Sequence, residues 1–411
     1  ELVVRMLDEI LLPNFEVDFL VEGKPLARRL HDAGMHVTAA DPRRTATYLK
    51  ADVTAGTCSP SRAGLMSGRY QQRFGLEFNT AGAAITHRES RGLDPAVITF
   101  PEVLQHTGYA TGMFGKWHLG ETYPSRPQDR GFDEVFIHQG GGIGQTPDYW
   151  DNNYFDPHIL HNGTWVPTEG YCTNVFSQSA WNWIDNGSAQ PWLAYLSLNT
   201  PHTPLQIDDK LAQKYLDKGL PESQARFYAM IDDLDREVGA LLNKLKSKGL
   251  ADNTIVLFMG DNGSAKGGRP DEMEYNAGLR GTKASPYQGG VRVPCFIRWP
   301  AGGVQGSRSV NELASISDIF PTLAELAGIP LTSATPTDGR SLVPLLDDTM
   351  DAQWADRTVV THVGRWPNGY GAKNKHKGSA IRNERFSLVN GSALYDLRND
   401  RGQQQDVSKQ C

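Results

Sequence analysis

The chain of 411 residues carries 41 basic and 47 acidic side chains, for a formal net charge of −6, and is 39% hydrophobic. That mild acidity argues against a nucleic-acid binder, which needs a basic face, and no apolar run approaches the roughly 18 residues of a membrane span. Length alone points to two or three domains, and four scattered cysteines (Cys58, Cys172, Cys295 and Cys411) are too few for a disulfide framework. Residue 1 is Glu, which reads as a chain whose signal peptide has been removed or was never included.

In chain order, the first informative stretch is "CSPSRAGLMSGRY", Cys58 to Tyr70. Pro60 suits a first helical turn, and the residues through Met66 continue as helix. Cys58 then sits at the positive end of that helix, where unpaired N–H groups attract anions, and Arg62 adds a fixed charge one turn on. A lone cysteine is most often a small buried hydrophobe; these neighbours aim it at something negative. Thr99-Phe-Pro-Glu102 reads as a capping box opening a short helix that Gly108 closes. Tyr109 to Phe114 is a strand leading into "GKWHLG", and Trp192 to Leu198 a buried strand leading into "NTPHTP".

Phe227, Ile231, Leu234, Val238, Leu241 and Leu245 share one face of a long helix ending at Lys246–Gly249. A strand from Thr254 to Met259 follows and runs into "GDNGS". Val293 to Arg298 is a further strand, and Asp318 to Ala327 a helix stopped by Gly328 and Pro330. From about Trp354 the pattern turns to short strands. No internal repeat or low-complexity tract interrupts this order. The alternation predicts an α/β fold: a large central mixed, mostly parallel sheet flanked by helices, plus a small C-terminal antiparallel sheet. The expected division is a catalytic unit 1–350 and a C-terminal unit 351–411.

The polar motifs fall in one place. Lys116 with His118, then His202, then Asp261 with Asn262 each lie just beyond the carboxyl end of a predicted strand, the edge where open α/β sheets bind ligands. Lys116 and His118, two apart in extended chain, share a face, and a cation beside an imidazole suits binding an anion and moving a proton near it. Asp261 and Asn262 offer oxygen ligands for a hard cation, Ca²⁺ or Mg²⁺. Asp-Asn-Gly is equally a common turn, and Asn262-Gly-Ser264 also fits a glycosylation acceptor. Two prolines hold His202 in a stiff loop. Lys283 lies in the glycine-rich "GLRGTKASPYQGG"; alone it reads as an ordinary solvated lysine. Gly140–Gly144 does not join a strand to a helix as a dinucleotide loop must, and reads as a pocket loop.

These motifs together resemble those of the formylglycine-dependent sulfatases of the alkaline phosphatase superfamily. Cys58-Ser-Pro-Ser-Arg62 with Ala63 to Arg69 carries the likeness most specifically; "GKWHLG", "PHTP", "GDNG", and "GTK" followed by "GGVRVP" come in the expected order. The resemblance covers roughly residues 50 to 400 and implies a sulfuric ester hydrolase acting on a sulfated carbohydrate or an aryl sulfate. It implies that a formylglycine-generating enzyme oxidises Cys58 to formylglycine. The hydrated aldehyde then attacks sulfur, and its second hydroxyl lets the covalent sulfate ester leave by elimination. By the same resemblance, Asp261 and Asn262 hold the metal, Lys116 and Lys283 clamp sulfate oxygens, and Arg62 steadies the diol. His118 drives elimination, and His202 protonates the departing alcohol.

The amino-terminal stretch departs from the family pattern, which begins with a strand ending in two adjacent aspartates. Here Asp8 and Glu9 stand in the matching place, Arg5 interrupts the strand, and Lys24 to Thr38 resembles the helix that follows. The substrate pocket is expected to draw on Phe136 to Trp150 and Thr361 to Tyr370, with His138, Asp148 and Arg365 facing a sugar. Two rivals stay open: a phosphodiester or phosphonate ester hydrolase of the same superfamily, and a non-catalytic glycan-binding relative with a degraded metal site. Family habit places such a protein in the periplasm or outside the cell.

Overall fold

A computed structural model describes residues 46–77, 92–187, 190–265, 276–304, 308–347, 354, 356–364 and 372–410. Asp8, Glu9, Arg5, the Lys24–Thr38 segment, Arg365 and the expected boundary at residue 350 all lie outside the described residues.

Strand β1 (Thr47–Asp52) leads into helix α1 (Cys58–Ser67), every residue of which is buried. Helix α2 (Phe100–His106) starts at the expected capping box, with the Thr99 N–H donating to Glu102 Oε2 at 2.8 Å. Next come β2 (Ala110–Lys116), β3 (Glu134–His138), the hairpin β4 (His158–His161) and β5 (Thr164–Pro167), helix α3 (Cys172–Asp185) and β6 (Trp192–Ser197). Helices α4 (Asp209–Leu216) and α5 (Glu222–Ser247) precede β7 (Val256–Met259). The predicted strand from Val293 is split at Pro294, which has no N–H to give a ladder, into β8 (Arg292–Val293) and β9 (Cys295–Arg298). Strand β10 (Arg308–Ser315) and helix α6 (Ile319–Leu326) follow, and the chain closes in a four-stranded meander of β11 (Val359–His362), β12 (Ser379–Arg382), β13 (Phe386–Val389) and β14 (Ala393–Asp396).

The strands before the meander form two five-stranded mixed ladders. One runs β5-β4-β3-β2-β6, parallel at β3-β2-β6; the other runs β10-β1-β9-β7 with β8 on β1, parallel at β10-β1. Alternate residues of these strands point to opposite sides. Met113, Val135, Ile137, Leu49 and Ile297 pack with Phe100, Leu104 and Phe320 in one apolar cluster. Phe114, Phe136, Tyr48 and Phe296 pack with Phe176, Tyr228 and Ile231 in a second. Both ladders therefore belong to one layer with helices on each face, the mixed α/β architecture the sequence predicts, although among the described residues parallel pairing is confined to β10-β1, β3-β2 and β2-β6 and does not predominate. The antiparallel meander β11–β14 supplies the small C-terminal sheet.

Candidate active site

Cys58 is the first residue of α1, buried at its amino end. Its Sγ lies 3.4 Å from Asn262 Oδ1, just past β7. Arg62, one turn on, is also buried: Nε donates to Asp261 Oδ2 at 2.8 Å, and Nη1 donates to the Lys116 carbonyl at 2.7 Å and to Ser197 Oγ. One guanidinium thus ties together α1 and the carboxyl ends of β7, β2 and β6. Sequence reading missed Ser197, the last residue of β6; a serine closing an otherwise apolar strand was its only signal.

At the end of β2, Gly115 has φ of 111°, and a Cβ there would sit 2.2 Å from the Ser197 carbonyl oxygen. Only glycine lets β2 approach β6 this closely while turning its end. Lys116 and His118 follow, both buried. The Trp117 ring between them anchors the turn in the core, with its Nε1 donating to the Ser125 carbonyl at 2.9 Å. On the β6 side, the His202 N–H donates to the Asn199 carbonyl at 2.8 Å, Tyr154 Oη donates to the His202 carbonyl at 2.7 Å, and His202 Nδ1 meets the Thr203 carbonyl at 2.8 Å. That last contact fixes Nδ1 as the protonated nitrogen and leaves Nε2 for chemistry. Lys283 is brought in by its loop: its N–H donates to the Ser264 carbonyl at 2.8 Å, and the Ala284 N–H to that of Gly56.

The electrostatics follow from this gathering. Burial raises the Cys58 thiol, but Lys116, Lys283 and Arg62 outweigh it, and the thiol is held below its ordinary value. Burial likewise raises Asp261, yet Arg62, Lys116 and Lys283 hold its carboxyl well below the usual carboxylate range. Lys116 is lowered by burial and by its cationic neighbours. His118 is lowered to about 2 and His202 to about 4, chiefly by burial and then by Lys116. Both imidazoles are neutral before any ligand arrives.

His138 and Asp148 have other occupations. His138 lies on β3 opposite Lys116, fully buried, with Nδ1 donating to the Gln139 carbonyl at 2.8 Å. Asp148 accepts from the N–H groups of Gln139 at 3.1 Å and Gly144 at 2.7 Å, and from Asn152 Nδ2. Its oxygens are spent on the 139–148 loop.

Asp261 and Asn262 present a buried ionised carboxylate and an amide oxygen beside Cys58. Hard oxygen donors with net negative charge fit a divalent cation. Among the described residues no group of three or more His, Cys, Asp and Glu side chains is placed to hold a metal ion.

Residues 39–329 match the family model described as Sulfatase. The chain belongs to the sulfatase family. Residues 282–410 of the chain also match the model for the N-sulphoglucosamine sulphohydrolase C-terminal region. It is 30% identical to an uncharacterized sulfatase, YdeN, of Escherichia coli (strain K12), with 76% of this chain and 57% of that protein aligned. It is 30% identical to the N-acetylgalactosamine-6-sulfatase of Mus musculus over 75% of this chain and 60% of that one. The chain therefore spans a little under two thirds of these curated relatives. Among solved structures, Ps i-CgsB superposes with a TM-score of 0.77 at 29% identity, covering 90% of this chain and 82% of that one. The same protein in complex with k-i-k-neocarrahexaose gives 0.76 at the same identity and the same coverage of both chains. Family membership implies a metal and a formylglycine made from cysteine in general terms. No helix among the described residues is long and apolar enough to cross a membrane.

Proposed function

We propose that this chain hydrolyses sulfate esters of carbohydrates, using a formylglycine made from Cys58 and a bound Ca²⁺, with Mg²⁺ the alternative. The observation that carries the reading is the gathering of charge at Cys58: the buried Arg62 is bonded to Asp261 and to the Lys116 carbonyl, and Lys116, Lys283 and Arg62 together hold the thiol below its ordinary value against burial and Asp261. Such a cationic setting stabilises the negative charge that develops on a tetrahedral sulfate. The formylglycine hydrate supplies one hydroxyl to attack sulfur and a second whose proton is lost when sulfate is released. Asp261 and Asn262, and in this reading Asp8 and Glu9, would hold the cation, which would supply Lewis acidity when bound.

The chain's own groups do the rest. Lys116 and Lys283 bind sulfate oxygens, and Arg62 keeps Asp261 and the end of β2 in register. His118, neutral in its buried place, accepts the proton lost at sulfate release. His202 gives a proton to the departing alcohol, its basicity rising as the arriving anion offsets the two lysines. A sugar substrate is supported by the names of the relatives and by an aromatic surface: Tyr149 stacks on His158 at 4.1 Å, and the neighbouring Trp150 is 91% exposed. In this reading Arg365 faces that sugar, whereas His138 is fully buried and Asp148 is engaged by its own loop. Export to the periplasm or beyond and maturation by a formylglycine-generating enzyme belong to this reading, as does the division into units 1–350 and 351–411.

The deciding assay compares 4-nitrophenyl sulfate with a bis(4-nitrophenyl) phosphate diester. Faster turnover of the sulfate supports the reading; strong preference for the diester overturns it. Peptide mass spectrometry of matured protein is expected to show Cys58 lighter by about 18 Da, a different product from the oxygen-adding steps of thiol oxidation. Cys58→Ala is expected to abolish turnover and stay folded; a Cys58→Ala enzyme that still turns over sulfate means the nucleophile lies elsewhere.

A further inference from the structure

The loop after β3 carries three consecutive glycines, and two of them face the imidazoles. A Cβ at Gly141 would sit 2.9 Å from His118 Cε1 and 3.1 Å from Nε2; one at Gly142 would sit 2.7 Å from His202 Nδ1 and 3.0 Å from Cε1. Neither glycine has a positive φ, so their backbone would accept any L residue. Space alone demands glycine there, and the objects occupying that space are the two histidines. The Gln145 amide lies beside both contacts, at 3.1 Å from the first position and 3.2 Å from the second.

The same loop is held from behind by two carboxylates. Asp148, at its far end, grips its start and its middle, accepting from the Gln139 and Gly144 N–H groups. Glu121, three residues past His118, accepts from the Gly140 N–H at 3.0 Å. Gln145 N–H to Gly142 carbonyl and Asp148 N–H to Gln145 carbonyl close two turns within it. A short loop with this many fixed N–H groups is a rigid backstop rather than a floppy rim.

We propose that segment 139–148 is a positioning element for the reaction: Gly141 and Gly142 set the ring planes of His118 and His202, and Asp148 and Glu121 are positioning residues that hold this backbone in place. The inference rests on the proton-transfer roles given to the two histidines above. It places Asp148 in the reaction through the loop and not through contact with the sugar. Misplacing a transferring group by about 1 Å costs on the order of a hundredfold in rate, and a Cβ at 2.7 Å forces a shift of that size.

The two histidines act at different stages, so the test separates them. His202→Ala, Gly142→Ala, Gly141→Ala and Asp148→Asn are assayed on 4-nitrophenyl sulfate, whose alcohol leaves without help, and on phenyl sulfate, whose alcohol needs a proton. His202→Ala is expected to lose at least tenfold more on phenyl sulfate than on the nitrophenyl ester. Gly142→Ala is expected to show the same bias. Gly141→Ala, acting through His118 after the alcohol has gone, is expected to depress kcat for both esters alike. Asp148→Asn, which keeps the shape of the side chain, is expected to show the Gly142→Ala bias more weakly, and it carries the test if Gly142→Ala does not fold. A His202→Ala enzyme without bias refutes the general-acid role itself. Bias in His202→Ala with parallel losses in Gly142→Ala and Asp148→Asn refutes the positioning role and leaves the loop merely structural.

Discussion

Arg62 Nε donates to Asp261 Oδ2 across 2.8 Å, joining residues 199 apart in the chain. The same guanidinium holds the Lys116 carbonyl and Ser197 Oγ, so the Cys58 helix and three strand ends share one buried cation. A planar fork suits that task where a point charge does not.

Arg62→Ala is therefore expected to lower kcat/KM for 4-nitrophenyl sulfate by about 10²–10³, the loss typical of removing one preorganised charge-stabilising donor. Arg62→Lys keeps the charge but cannot make the divergent bonds, and is expected to recover less than a tenth of the activity. Steady-state kinetics check this; a lysine variant near wild type would show the fork to be dispensable.

Asp52, on β1, sits between two buried guanidiniums, with Arg292 Nε at 2.7 Å and Arg382 Nη1 at 3.1 Å. Arg382 also donates to the Pro286 carbonyl, so the β11–β14 meander, β1 and the loop carrying Lys283 meet at this carboxylate. Asp52→Asn leaves two buried cations without a counter-charge and is expected to cost about 3–5 kcal/mol. Urea unfolding should show a lower midpoint with an unchanged slope.

Burial pushes the Glu121 carboxyl up to about 7, against the Gly140 N–H that favours its charged form and together with the Asp148 charge that disfavours it. The folded protein thus holds a proton that the unfolded chain releases above its ordinary value of 4.5. This contribution to stability is complete below about 4.5 and is lost as pH rises through about 7. Melting temperatures measured across that window should show wild type losing ground to Glu121→Gln as pH increases. Parallel curves would mean that Glu121 titrates as an ordinary surface carboxylate.

Chelation is expected to abolish turnover and lower the melting temperature, and added Ca²⁺ to restore both. At a concentration a hundredfold above Kd, binding stabilises the fold by about 2.7 kcal/mol. Asp261→Asn should remove the calcium-dependent shift. Wild type whose melting is indifferent to Ca²⁺ and Mg²⁺ alike would count against the oxygen site.

Much of the framework was legible in the chain. The capping box at Thr99, the apolar face of the helix through Phe227 and Leu245, and the strands leading into "GKWHLG" and "GDNGS" are local signals, written in neighbouring residues and confirmed in place. Pro294 was legible too, yet the strand through it was read as one: an apolar run hides a missing N–H. His138 was expected beside a sugar for the aromatic residues near it in the chain; that its ring is fully buried is a property of the fold which those neighbours do not encode. Ser197 carried only the faint mark of a serine closing an apolar strand and Glu121 none, because what distinguishes each is a partner distant in the chain or folded back onto it.

Spacing along the chain determined which residue types stand at the strand ends and at the helix start, because helices and strands repeat on periods of a few residues. Tertiary structure alone decided that Arg62 meets Asp261, that the loop of Lys283 bonds to Gly56 just before Cys58, and that two glycines press on two imidazoles. Such contacts arise where separate ladders and loops converge, and no local periodicity encodes the distance between them.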